Sequence, residues 1–118
     1  LRAMDEDLRF FCQEPHSNEL QAAAAQFYGE DTIHLVRGLV GKMVDFANRG
    51  AHGVISAAGI NCMVGVAASA PIPAIRKQFD GVPMVALAYG SNEGPAQRIQ
   101  LETFVHQVHQ FFRSRAAA

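Results

Sequence analysis

The chain has no tryptophan, and only two cysteines, Cys12 and Cys62, among its 118 residues. Two widely spaced thiols make no disulfide framework, and no CxxC pair is present. A stapled secreted fold and a redox or zinc motif of that kind are therefore excluded. Charge is also scarce, at 18% of residues against about 25% in an average soluble protein. Ten basic and eleven acidic side chains leave a net charge of −1. That balance offers no basic stripe able to displace counterions from DNA or RNA, and it argues against a nucleic-acid partner. Long apolar runs are missing as well: no window approaches the roughly 18 residues of a membrane span. The opening residues 1–7, LRAMDED, do not have the pattern of a signal peptide. With no Met at position 1, the expectation is a fragment of a larger chain, with a leftover tag as the alternative. Together these features lead us to expect a soluble cytoplasmic protein with reduced thiols and no membrane partner.

What is present is apolar: 49% of the chain, enough for one domain with a core and for some surface meant for burial against something else. Residues 1–49 hold thirteen of the 21 charged side chains, whereas 50–96 hold four, Arg76, Lys77, Asp80 and Glu93. The first segment reads as surface helices and the second as a buried core with its connections.

Residues 3–13 suit a short helix ending before Pro15, and a second run, capped by the Ser17 hydroxyl, continues to Ala25; residues 1–30 thus read as an N-terminal helical extension. Over 31–49, Asp31 is the expected N-cap, and Val36, Leu39, Val40, Met43 and Ala47 recur at steps of three and four. Gly38 and Gly41 would each cost about 1 kcal/mol in a helix interior, so both are expected at close helix contacts. Gly50 stops the run. A short apolar strand follows over 53–58, then a turn at 59–62 and a helix of small residues over 63–70. Pro71 and Pro73 restart a helix that ends near Gly81. Residues 82–89 form a second apolar strand, 90–95 a loop, and 95–113 a helix with Leu101, Phe104, Val105, Val108, Phe111 and Phe112 on one stripe.

Residues 31–113 therefore read as helix–strand–helix–strand–helix. The strands, joined by a helical crossover, should be parallel. Neither alternates in polarity, so both should be buried on both faces. The expected fold is α/β: a small parallel β-sheet flanked by helices, a Rossmann-like half-domain. Two strands make a very small sheet, completed either by missing parts of a longer chain or by another copy in a homodimer.

Ligands of open parallel sheets bind at the carboxyl ends of the strands. Two glycine-bearing loops lie there, one with Gly59 and Asn61, the other with Gly90 and Ser91. Each precedes a helix whose first amides could hold an anion such as the phosphate of CoA or a nucleotide; equally, both are tight connections. Cys62 falls at a helix start, where a thiolate, the metal-ligating form, is favoured. The plain alternative is a small buried hydrophobe. His106 and His109, three apart on the last helix, are half a zinc site or a solvated face. No Ser-His-Asp order or paired carboxylate supports catalysis.

Three stretches carry a family resemblance. Ala51-His52-Gly53-Val54-Ile55 leads to a loop with a cysteine immediately before a helix, Cys62-Met63. Pro73-Ala74-Ile75 precedes Gly81-Val82-Pro83-Met84-Val85-Ala86-Leu87. Residues 97–107, QRIQLETFVHQ, form the closing helix. In order and spacing, residues 29–107 resemble the C-terminal region of the large activase-related proteins of the 2-hydroxyacyl-CoA dehydratase and benzoyl-CoA reductase system, the CoA-substrate-specific enzyme activases. That resemblance implies a Rossmann-like domain and an iron–sulfur (4Fe–4S) cluster in the parent protein, with Cys62 as its one candidate metal ligand here. It implies an ATPase module elsewhere in the parent chain, or a dehydratase partner, and a role in anaerobic acyl-CoA metabolism. The chain departs from the family where Gly59-Ile60-Asn61 replaces the usual Pro-Phe-Gly, and where Ala88-Tyr89-Gly90 replaces an acidic run. The expected function is an accessory domain supporting electron transfer. The alternatives are a non-catalytic oligomerisation module and a small-ligand domain at the Gly59 and Gly90 loops.

Overall fold

The computed structural model describes residues 13–90 and 94–117; the helix expected over 3–13, Cys12 and Ser91 lie outside the described residues. Five helices and two strands are found among those described: α1 (Ser17–Ala24), α2 (His34–Asn48), β1 (Val54–Gly59), α3 (Met63–Ser69), α4 (Ile72–Gln78), β2 (Met84–Tyr89) and α5 (Pro95–Ala116).

The helix starts depart from the sequence reading by one to three residues. His16, not Ser17, is the N-cap of α1, and its N–H donates to the Glu19 carboxylate at 3.0 Å, holding the first turn from behind. The Ser17 hydroxyl instead lies 3.4 Å from His34 Nε2. Ile33, not Asp31, precedes α2. No side chain caps that end, so the expected carboxylate cap is replaced by a tight turn in which Val36 N–H reaches the Ile33 carbonyl at 2.9 Å. Gly50, at φ 86°, ends α2 as expected.

α1 and α2 pack closely. A Cβ on Gly41 would collide with the backbone carbonyl of Leu20, whereas one on Gly38 would meet only Gln21 Nε2 at 4.0 Å. The close approach expected of both glycines is met at Gly41 alone. Across the contact, Arg37 donates to the Gln21 carbonyl at 3.0 Å.

α2 supplies much of the core through Val36, Val40, Met43, Val44 and Ala47, packed with Ala68, Ile72 and Ile75 from α3 and α4 and with Val54 and Met84 from the strands. This corrects the division into a surface N-terminal half and a buried middle. The charged side chains of α2 are only partly covered, Arg37 at the contact with α1, and the apolar face of the helix is the central wall of the core.

The strands pair parallel, Val54 opposite Met84 through Gly59 opposite Tyr89. β2 has a buried residue on each face, Met84 at its start and Leu87 near its middle, which point to opposite sides. β1 does not. Val54 is buried, but Ile55 is 48% exposed and Ala57 is also exposed. The expectation that both strands are buried on both faces therefore fails for β1. Small residues kept its polarity pattern flat, although only one face is covered. The apolar stripe of α5 is likewise only partly inside: Phe104 is buried, while Val105 and Phe112 are half exposed.

Candidate functional site

Pro71 starts α4 and Pro73 sits in its first turn, so the crossover between the strands is two short helices rather than one. That break leaves α3 seven residues long and lays it over the carboxyl half of β1. Gly65 makes this approach feasible, because a Cβ there would collide with the Ala58 Cβ. The turn that feeds α3 is tight. Asn61 adopts φ 62°, a left-handed conformation that Asn tolerates better than most residues. Cys62 N–H donates to the Gly59 carbonyl at 3.1 Å, and the Cys62 carbonyl accepts from Val66 N–H at 3.0 Å.

The result is a hollow of about 170 Å³ above the carboxyl ends of both strands, lined by Ser56, Gly59, Asn61, Cys62, Ser69 and Ala88 among others. Of the site residues expected from sequence, Gly59, Asn61 and Cys62 come together there. Gly90 stands just beyond β2 and outside the hollow, and a Cβ on it would collide with the Ile60 side chain. Its glycine is thus explained by the neighbouring loop rather than by a ligand. Ser56 and Ser69 were missed by sequence reasoning. Ser69 donates to the Val66 carbonyl at 2.7 Å, as helical serines commonly do.

Among the described residues no charged side chain lines the hollow, and those that do offer hydroxyls, one amide and one thiol. Its volume is below the roughly 300–1,000 Å³ of sites that engulf a drug-sized ligand; it has room for a phosphate-sized group rather than a whole nucleotide. Cys62 is a free thiol, half-buried at the N-cap of α3.

Among the described residues, no group of three or more His, Cys, Asp and Glu side chains gathers where it could hold a metal ion. A 4Fe–4S cluster takes four cysteine thiolates, and the whole chain has two cysteines. These 118 residues therefore do not make a cluster site by themselves. His106 and His109 are both exposed. His109 shares a shallow surface dip with His52, Val108 and Phe112, where the His52 ring meets Phe112 edge-on at 5.0 Å. No zinc site is assembled there among the described residues.

A second feature lies on the sheet's far side. The pairing bonds run from Val54 N–H to the Pro83 carbonyl at 2.9 Å and from Ile60 N–H to the Tyr89 carbonyl at 2.7 Å. With alternation along the strand, the even residues of β1 and the odd residues of β2 face each other. The outward carbonyls of β2 belong to even residues, and side chains of α5 meet two of them, Gln100 donating to Ala86 at 3.3 Å and Gln97 to Ala88; just before the strand, Arg76 donates to the Val82 carbonyl at 3.2 Å. Gln97 and Gln100 are three apart on α5, a spacing visible in sequence that places both on one face.

No helix among the described residues is long and apolar enough to cross a membrane. Compared with protein-family models, with curated proteins and with solved structures, the chain matches none of them.

Proposed function

We propose that this chain is an accessory α/β module of an ATP-dependent CoA-substrate-specific enzyme activase or a 2-hydroxyacyl-CoA dehydratase-like protein, working in the cytoplasm. In this reading it is not catalytic by itself. It offers a docking surface and one thiolate, that of Cys62, to an iron–sulfur cluster whose remaining ligands come from elsewhere in the parent chain or from a dehydratase partner. The observation that supports it best is the position of Cys62: a free, half-buried thiol on the rim of the hollow at the carboxyl ends of two parallel strands, where ligands of open sheets gather. The three sequence stretches that resemble the activase-related family lie in the same β1–α3–α4–β2–α5 unit.

The test is iron and acid-labile sulfide in the full-length parent, purified without oxygen, beside its Cys62→Ala variant. A brown protein that loses iron on substitution supports the reading. Equal iron in both, or none in either, removes Cys62 from any cluster.

The second reading is a metal-free structural module that completes its small sheet with a partner. The exposed edge and open face of β1, with Ile55 about half in solvent, favour it.

A further inference from the structure

The two edges of the sheet are finished differently. At β2, side-chain donors from α5 reach the outward carbonyls of Ala86 and Ala88, and Arg76 of α4 reaches the Val82 carbonyl just before the strand. At those carbonyls the side chains take the place of a neighbouring strand's N–H groups. On β1, the outward residues are Ile55 and Ala57, because Val54 and Ile60 turn inward to β2. No loop or side-chain bond reaches the backbone of Ile55 or Ala57 among the described residues, and both residues are exposed. Folded proteins usually protect such an edge with lysine, proline or a bulge. β1, with sequence VISAAG, has none of these.

We infer that the outer edge of β1 is an interface for a second copy of this chain, the two β1 strands pairing antiparallel about a two-fold axis near Ser56. This rests on the second reading above and gives it a surface and a register. Three observations favour a second copy as the occupant. A two-fold contact sets each residue against the same region of its partner, so like charges there would repel. From Ala51 to Ile75 the chain has no Asp, Glu, Lys or Arg. The register is also self-complementary, because Ile55 comes opposite Ala57 of the second copy and Ala57 opposite its Ile55. A large side chain thus meets a small one on the open face, twice. Finally, the inner residue on the axis is Ser56, small enough for the strands to close. The same axis brings α3, whose Met63 and Val66 are 70% and 67% exposed, toward its counterpart. Pairing would join the two sheets into one of four strands and give the backbone of Ile55 and Ala57 its missing partners.

The test is sedimentation equilibrium of the full-length protein as wild type, Ala57→Pro and Ile55→Lys, with circular dichroism of each. Proline at 57 removes an N–H that the β1–β2 ladder does not use, so the fold should survive. In Ile55→Lys each new cation faces Ala57 of the other copy and lies diagonally across the seam from the other cation, on the same face, where like charges repel. The expected result is a wild-type dimer and an affinity loss of at least tenfold in both variants with unchanged secondary structure. A dimer that withstands both substitutions overturns this interface while leaving the oligomerisation reading standing; a wild-type monomer at concentrations of hundreds of micromolar removes both. Amide exchange in the wild type gives a check that needs no variant. Ile55 and Ala57 should be protected as ladder amides are, and exchange at open-loop rates overturns the proposal.

Discussion

Gly41 lies so close to the carbonyl of Leu20 that no methyl group fits between the two helices they belong to. The contact fixes how α1 sits on α2, and Leu20 is buried by it. Three residues earlier, Gly38 faces open space apart from Gln21 Nε2. One helix thus carries two glycines of opposite meaning. Gly41→Ala should lower stability by about 1–3 kcal/mol, the usual range for forcing a group into a packed contact. Gly38→Ala should raise it by up to about 1 kcal/mol by restoring helix propensity. Urea unfolding of the two variants reads both, and equal shifts would contradict the close approach.

Ile75 is completely buried at the junction of α4 with the core. Its truncation in Ile75→Ala should cost about 2–5 kcal/mol, transfer and cavity terms together. A domain with so small a sheet has little stability to spare, so the variant is expected to be largely unfolded at 37 °C by near-ultraviolet dichroism.

The Tyr28 hydroxyl donates to the Ala67 carbonyl at 2.5 Å, tying the segment after α1 to the helix that roofs the hollow. Tyr28→Phe should remove about 0.5–1.5 kcal/mol, the net worth of one such bond. Hydrogen exchange should show the α3 amides opening more often in that variant, with α2 unchanged.

Gln97→Leu and Gln100→Leu strip the side-chain donors from the Ala88 and Ala86 carbonyls. Each should cost about 0.5–1.5 kcal/mol, and the double variant should aggregate on heating through the newly bared strand edge. Light scattering during a thermal ramp would register this, and clear solutions for the double variant would show that the glutamines protect nothing.

The order of elements from α2 to α5 is legible in the residues because proline, glycine and β-branched runs punctuate it sharply. Pro71 and Pro73 mark the break between α3 and α4, Gly50 the end of α2, and the apolar runs the two parallel strands. What did not show was which face of each element is covered. In β1, Ser56, Ala57 and Ala58 are too alike in polarity to distinguish inside from outside, and Ile55 reads as core while half of it meets solvent. Helix α5 repeats that ambiguity, since Phe104 and Phe112 both belong to an apolar stripe but only Phe104 is buried. At the candidate site, Cys62 at a helix start, Gly59 and Asn61 could be read from their order. Ser56 and Ser69 could not, because lining a hollow depends on how α3 leans on Ala58, and that is set by Gly65.

The pairing of Val54 with Met84 and of Gly59 with Tyr89 has a consequence for how the chain reaches this fold. Neither strand has a neighbour nearby in sequence, so no hairpin can form early and guide the sheet. The whole α3–α4 crossover must close as a single loop before the first ladder bond forms, and its entropy is lost before the ladder returns any energy. The α1–α2 pair, whose contact of Leu20 with Gly41 closes a shorter loop than Val54 with Met84, can assemble ahead of it. Refolding should therefore show two steps in order of loop length: helix pairing first, and a slower arrival of the sheet that sets the rate.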